Sequence, residues 1–85
     1  MRVIYKYNLE ITDVQQISPP AGALLLNVAF QGDRLCLWAL VNTDYRAHDR
    51  IIKLYGTGQP VESQVGHYIG TAHDPRGFVW HAFEH

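Results

Sequence analysis

The sequence has few of the features that commonly reveal a protein's chemistry. Its single cysteine, Cys36, allows neither an internal disulfide nor a zinc site built on several cysteines. Seven Lys and Arg against eight Asp and Glu give a net charge of −1, which excludes a basic phosphate binder and an acidic mimic of nucleic acid. The longest apolar run, residues 35–41, is far shorter than the ~18–20 residues that span a bilayer.

Helical periodicity and targeting signals are absent as well. No segment of the chain repeats its apolar residues with the 3.6-residue period of an amphipathic helix. Residues 1–6 lack the apolar segment of a secretory signal, so we expect an intracellular protein. With 47% apolar and 18% charged residues in 85 positions, the composition is that of one globular domain over residues 1–85.

The pattern that is present is an alternation of apolar and polar residues, typical of half-buried strands. Short segments with this alternation are separated by Gly, Pro and Asp turn signals. The predicted strands are residues 3–11, 23–31, 34–42, 51–55, 66–73 and 77–84, with 14–17 as a candidate short return strand. We therefore predict a mainly β fold, an antiparallel sandwich or barrel of about six strands with little or no helix.

The best-specified element is a hairpin around Gly32-Asp33, a pair that suits a two-residue turn. Pairing Phe30 with Leu35 makes one face of the hairpin entirely apolar. That predicted core face contains Leu24, Leu26, Val28, Phe30, Leu35, Leu37, Ala39 and Val41. The reverse face carries Leu25, Cys36, Trp38 and Leu40. Because this apolar patch needs cover, we predict a homo-oligomer.

A second hairpin is predicted around Asp74-Pro75-Arg76-Gly77, whose residues fit a type I turn. Pairing Asp74 with Gly77 places His81 opposite Gly70, on the face of Tyr68 and Phe83. His67 and His73 then lie on the other face. One metal ion cannot bind histidines from both faces of a sheet, so we predict no metal site.

Sequence motifs for catalysis or cofactor binding are weak. Cys36 lies in an apolar strand where a thiol is usually inert, and the carboxylates Glu10, Glu62 and Glu84 lie in different segments. Gly56-Thr57-Gly58 is followed by Gln59-Pro60 rather than by a helix, which favours a turn over a phosphate loop. We therefore predict a protein that is not an enzyme, with no catalytic residues and no cofactor.

Motifs along nearly the whole chain resemble one family. The resemblance is carried by Ile4-Tyr5-Lys6-Tyr7, Pro20-Ala21-Gly22-Ala23, Cys36-Leu37-Trp38-Ala39-Leu40-Val41, Gly56-Thr57-Gly58-Gln59-Pro60, Tyr68-Ile69-Gly70-Thr71 and Gly77-Phe78-Val79-Trp80-His81-Ala82-Phe83-Glu84. The sequence is similar to small uncharacterised proteins encoded by tailed bacteriophages and prophages. The resemblance implies a phage genome, the cytoplasm of a bacterial host, and an accessory or minor structural role.

The leading hypothesis is therefore a non-catalytic binding protein that acts in counter-defence. It would sequester a host immune nucleotide signal or block a host immune protein. Aromatic and cationic side chains can stack on a base and grip phosphate, and Trp38, Arg50, Tyr68 and His81 are the candidate binding residues. Neither a membrane partner nor non-specific nucleic-acid binding is expected. The alternative is a minor structural or assembly protein of the virion.

Overall fold

Seven β-strands make up the regular structure in the computed structural model, which describes residues 1–85. They are β1 (Arg2–Asn8), β2 (Val14–Ile17), β3 (Leu24–Gln31), β4 (Arg34–Asn42), β5 (Arg50–Gly56), β6 (His67–His73) and β7 (Val79–Glu84). They form a three-stranded sheet, in the order β1-β4-β3, and a four-stranded sheet, in the order β2-β5-β7-β6. All pairs are antiparallel. The predicted antiparallel β fold is confirmed, and no helix of the chain could cross a bilayer.

The core lies between the two sheets and is built mainly on β4 and β5. Alternate residues of β4 point inward, and Leu37 and Ala39 have no exposed surface. From the other sheet, Ile52 and Ala82 are equally buried. The buried apolar cluster comprises Leu9, Ile17, Ala23, Val28, Leu35, Leu37, Ala39, Val41, Ile52, Leu54, Ala72 and Ala82. Both sheets therefore have one packed inner face and one outer face, as the alternation predicted.

The β3–β4 hairpin confirms the predicted turn but not the whole predicted face. Phe30 pairs with Leu35 as expected, and the register is kept as far as Asn27 and Trp38. A β-bulge at Leu26 then shifts the pairing by one residue. Since a shift of one residue exchanges the two faces of a strand, Leu25 packs against the core and its neighbours turn outward.

The predicted inward positions of Leu24 and Leu26 are therefore wrong. Their exposed fractions are 60% and 40%. The predicted reverse-face patch is also corrected, because Leu25 contacts the core and Cys36 is only 1% exposed. The apolar side chains that remain on the outer face of the three-stranded sheet lie farther along it, toward Ile4 and Leu24.

The β6–β7 hairpin differs from its predicted register for a local reason. Gly77 has a φ of +98°, and its N–H donates to the Asp74 carbonyl at 2.9 Å while the Asp74 N–H donates to Phe78. This is a type I turn followed by a glycine bulge, so Asp74 pairs with Phe78 rather than with Gly77. His81 consequently lies opposite Thr71, and its predicted pairing with Gly70 is wrong.

The two sheets approach most closely where β6 packs against β3. A second bulge, at Ile69, shifts the pairing by one residue, so that Tyr68 and His67 have their predicted partners, Phe83 and Glu84. Next to it lies Gly70, which is buried. A Cβ atom at this position would overlap the side-chain oxygen of Asn27 and would lie 3.2 Å from the Val28 amide nitrogen. Glycine at this position therefore allows a closer approach of the two strands than a residue with a side chain would.

We expect Gly70→Ala to lower the free energy of unfolding by about 1–3 kcal/mol, the usual cost of overpacking a close contact. Denaturant unfolding monitored by tryptophan fluorescence measures it. Gly56→Ala is the matched control, because its added Cβ would be at an ordinary 3.4 Å from the Trp80 ring; a change within about 1 kcal/mol is expected. Equal effects of the two substitutions would contradict the special role of Gly70.

Candidate functional site

The outer face of the four-stranded sheet carries two of the four candidate binding residues, Tyr68 and His81, together with further aromatic and polar side chains. Antiparallel pairing aligns them in rows, because directly opposite residues point to the same side of a sheet. Two rows cross β5, β7 and β6: Tyr55–His81–Thr71 and Lys53–Phe83–Tyr68. The corrected register of β6 and β7 is what places His81 in the first of these rows.

A chain of hydrogen-bonding side chains runs through His81. Its Nδ1 lies 3.1 Å from Thr71 Oγ1, and its Nε2 lies 2.8 Å from Thr57 Oγ1. Thr71 Oγ1 is also 2.6 Å from the hydroxyl oxygen of Tyr68. Because hydroxyl groups can both donate and accept, both ring nitrogens of the half-buried His81 have a partner. The chain ties β6, β7 and the segment after β5 together.

Residues 57–66, which connect β5 to β6, fold back toward this face and are fixed there by Glu62. The Glu62 carboxylate accepts hydrogen bonds from Lys53 Nζ at 2.8 Å and from the Tyr55 hydroxyl at 2.6 Å. These two donors lower the pKa of Glu62 to about 2. The same hydrogen bond to Glu62, together with burial, raises the pKa of Tyr55 to about 12. Glu62 therefore acts as an ionised anchor for the connection.

A cleft lies at the end of the four-stranded sheet, between the end of β5 and the β6–β7 turn. Its volume is about 270 Å³, and it is lined by Gly56, Thr57, Gly77, Phe78, Val79 and Trp80. We call it the Trp80 cleft. Phe78 is 60% exposed, and its ring centroid is 6.1 Å from that of Trp80. The Trp80 ring lies against Gly56, so two aromatic rings border a largely apolar space.

One edge of the Trp80 cleft carries a charged pair. The buried Asp74 carboxylate accepts two hydrogen bonds from the Arg76 guanidinium, at 3.0 and 2.8 Å, and a long one from Trp80 Nε1 at 3.5 Å. The hydrogen bonds from Arg76 hold the pKa of Asp74 at about 2. The Arg76 side chain itself is 68% exposed. The pair thus keeps a guanidinium group beside the Trp80 indole.

These pKa shifts bear on what the arrangement can do chemically. General acids and bases work best with a pKa close to the working pH. The pKa values of Asp74, Glu62 and Tyr55 are all shifted away from neutral pH. Near pH 7 the two carboxylates therefore stay ionised and the Tyr55 hydroxyl stays protonated.

Two of the four candidate binding residues are brought together, and two are not. Tyr68 and His81 share the outer face of the four-stranded sheet and are linked through Thr71. Trp38 lies on the outer face of the other sheet, opposite Lys6 on β1. Arg50 begins β5, where its side chain is occupied by protein partners.

Arg50 links the two sheets. Its guanidinium forms a bidentate ion pair with Glu84 on β7, with an Nη2–Oε1 distance of 2.7 Å. Nη1 also donates to the Ala23 carbonyl, just before β3. Both charged side chains are largely buried, at 18% and 22% exposure. The hydrogen bonds between them raise the pKa of Arg50 and lower that of Glu84. The structure thus gives Arg50 a stabilising contact rather than a free binding group.

The histidines of β6 and β7 are distributed differently from the prediction. His81 and His73 share the outer face, since Thr71 pairs with His81 and His73 is two residues along β6. His67 precedes Tyr68 and therefore points to the opposite side of the strand. No group of three His, Cys, Asp or Glu residues could hold a metal ion.

Several residues of this site were not singled out by sequence reasoning. Phe78, Trp80 and Thr71 were assigned only to strands, and Thr57 was assigned only to a turn. Gly77 was the usable signal, because a glycine in the last position of a type I turn often begins a bulge. That bulge gives the correct register of β7, and the register places His81 beside Thr71.

Fold and site define a small, all-β protein that carries a polar aromatic face and an aromatic cleft on one of its two antiparallel sheets. A family profile covers residues 1–85 of the sequence. The chain belongs to this family, which is described as a domain of unknown function (DUF7352). No curated protein and no solved structure matches the sequence.

We expect Arg50→Ala to lower the free energy of unfolding by about 2–3 kcal/mol, because it leaves the largely buried Glu84 carboxylate and the Ala23 carbonyl without their donor. Chemical denaturation at neutral pH measures the change. Arg34→Ala is the control, since its partner Glu10 is exposed, and a loss below about 1 kcal/mol is expected. Similar losses for both variants would show that Arg50 is an ordinary surface ion pair.

The Glu62 anchor predicts a dependence of stability on pH. The folded state lowers the pKa of Glu62 from 4.5 to about 2. Its stabilisation is therefore fully present above about pH 4.5 and is lost as the pH falls toward 2. Glu62→Gln should be less stable than the wild type at pH 7, and the difference should shrink below pH 4.5. Unfolding curves at a series of pH values test this, and a difference independent of pH would contradict it.

Proposed function

We propose that this protein is a non-catalytic phage accessory protein that acts in counter-defence by sequestering a nucleotide-derived immune signal of the host. The observation that carries the proposal is the Trp80 cleft. It presents the exposed Phe78 ring and the Trp80 ring beside the Arg76 guanidinium. Stacking of a base upon one of these rings is the interaction that the cleft offers.

The dimensions of the cleft support a planar group rather than a large ligand. Its volume of about 270 Å³ is just below the ~300–1,000 Å³ of typical small-molecule pockets. A nucleobase can enter while the rest of the nucleotide remains at the rim. Aromatic side chains suit this role, because each base has a face that stacks on an aromatic ring and contributes about 1–3 kcal/mol.

Polar groups around the cleft supply the remaining contacts. The Arg76 side chain is anchored by Asp74 through Nε and Nη2, and it is exposed at the rim. Its Nη1 has no hydrogen-bond partner in the protein, so it is free to donate to a phosphate oxygen. On the other side, Thr57 lines the cleft and also contacts His81. The previously nominated Tyr68 and His81 thus position Thr57 at the wall of the cleft instead of stacking on the ligand.

The proposal includes that the bound nucleotide is not converted, and the ionised state of the Asp74 carboxylate supports this. A protein that sequesters a signal must bind it without converting it. The carboxylate next to the cleft, Asp74, is held ionised by Arg76, so it is a poor proton donor near neutral pH. The phage context comes from the sequence resemblance, and it makes host immune signals the natural ligand class to test.

Isothermal titration with cyclic nucleotides and ADP-ribose derivatives tests the proposal directly. We expect one of them to bind, and to be recovered unchanged after incubation. Trp80→Leu should weaken that binding by about 5- to 150-fold, the equivalent of one stacked base. Trp38→Leu is the matched control, because it makes the same substitution at a half-buried position on the other sheet, and its affinity should equal that of the wild type.

Three outcomes would contradict the proposal. One is the absence of heat with every nucleotide, together with no nucleotide in the purified protein. Another is equal loss of affinity in the Trp80 and Trp38 variants, which would place the site elsewhere. The third is a high copy number in purified virions by mass spectrometry, which would favour a structural role in the phage particle.

A further inference from the structure

The three-stranded sheet has an unusual charge composition for a protein whose net charge is −1. Strands β1, β3 and β4 contain three cationic residues, Arg2, Lys6 and Arg34, and no Asp or Glu. Arg34 is paired with Glu10 beyond the end of β1, at 3.2 Å. Arg2 and Lys6 have no carboxylate partner in the structure. Uncompensated positive charge is therefore concentrated on this sheet.

An apolar row crosses the outer face of the same sheet. Ile4 on β1, Leu40 on β4 and Leu24 on β3 are directly paired neighbours, so their side chains point to one side. Ile4 and Leu24 are both 60% exposed. Leu24 faces outward only because of the bulge at Leu26. We call these three residues the Ile4–Leu40–Leu24 row.

The two free cations flank this row. Arg2 and Lys6 are the outward-facing residues on either side of Ile4 along β1, since alternate residues of a strand share a face. Lys6 Nζ donates to Gln31 Oε1 at 2.6 Å, from β1 to β3. This hydrogen bond holds the ammonium group over the sheet without neutralising it. The face thus combines exposed aliphatic side chains with fixed positive charge.

This combination determines which occupant fits. A second copy of the chain placed face to face would bring Arg2 and Lys6 of both copies into one interface, where like charges repel. Trp38 pairs with Lys6 on the same face, and its half-buried indole adds apolar surface beside Leu40. We propose that the outer face of the three-stranded sheet docks an acidic protein segment whose apolar side chains cover the Ile4–Leu40–Leu24 row while its carboxylates meet Arg2 and Lys6.

The proposal is tested with the full chain labelled with ¹⁵N and a soluble synthetic peptide rich in Glu and Leu. Titration should shift the amide signals of Ile4, Leu24 and Leu40 in a saturable way. The same peptide with Lys in place of every Glu should not bind. Lys6→Glu should weaken binding by about fivefold, with the effect decreasing at high salt. Leu24→Ser should weaken it as well.

Matched controls distinguish binding at this face from effects of net charge or of exposed apolar surface elsewhere on the protein. Arg46→Glu changes the net charge by the same amount in the loop before β5, and Val61→Ser removes an exposed apolar side chain from the connection after β5. Both should bind the acidic peptide like the wild type. Equal losses in the controls would overturn the proposal. So would binding of the protein to anionic lipid vesicles but not to the peptide, or a concentration-dependent dimer in which the signals of the row are the ones that shift.

Discussion

The close approach of β6 to β3 is the constraint on which the rest of the structure depends. Gly70 is buried against Asn27 and the backbone of Val28, and each of the two strands carries a bulge next to this contact. A bulge adds one residue to a strand and exchanges its faces beyond that point. At the contact, residues such as Val28 and Ala72 point into the core. Beyond the bulges, the inward-facing and outward-facing positions of each strand are exchanged.

Both candidate surfaces follow from these changes of face. In β3, the bulge at Leu26 sends Leu24 outward and completes the Ile4–Leu40–Leu24 row. In β6, the bulge at Ile69 keeps Tyr68 on the same outer face as Thr71, although the two are an odd number of residues apart. Their hydroxyl groups can then meet at 2.6 Å, and this contact joins Tyr68 to the chain of hydrogen bonds through His81 to Thr57. One packing constraint thus shapes the outer faces of both sheets.

How far the sequence predicted the fold depends on which interactions set each feature. The β3–β4 turn and its register as far as Asn27 were predictable, because turn residues and alternation act locally. The bulge at Leu26 was not, since it lies beside the contact with β6, a strand some forty residues away in the sequence. The register of β7 was an error that local information could have prevented, because Gly77 is itself part of the turn. In the candidate site, Tyr68 and His81 were among the residues singled out from the sequence, whereas Phe78 and Trp80 look like ordinary strand residues until the end of the sheet is known to be uncovered. The ion pair of Arg50 with Glu84 could not be predicted, because the two residues are distant in sequence.

The two sheets differ in whether their charged side chains already have partners within the protein. Around the four-stranded sheet, Glu62, Asp74 and Glu84 each have a cationic partner. These ion pairs fix the connection after β5, the β6–β7 turn and the contact between the two sheets. The Trp80 cleft is therefore preorganised, and ligand binding there requires little rearrangement of the protein. On the three-stranded sheet, Arg2 and Lys6 have no such partner, and their charges remain available to an approaching molecule. Charge attraction is then the main contribution on the three-stranded sheet, and stacking is the main contribution in the Trp80 cleft. Because attraction between exposed charges is screened by salt and aromatic stacking largely is not, high ionic strength should weaken docking of an acidic segment more than binding in the cleft, where it acts only on the contact between Arg76 and phosphate.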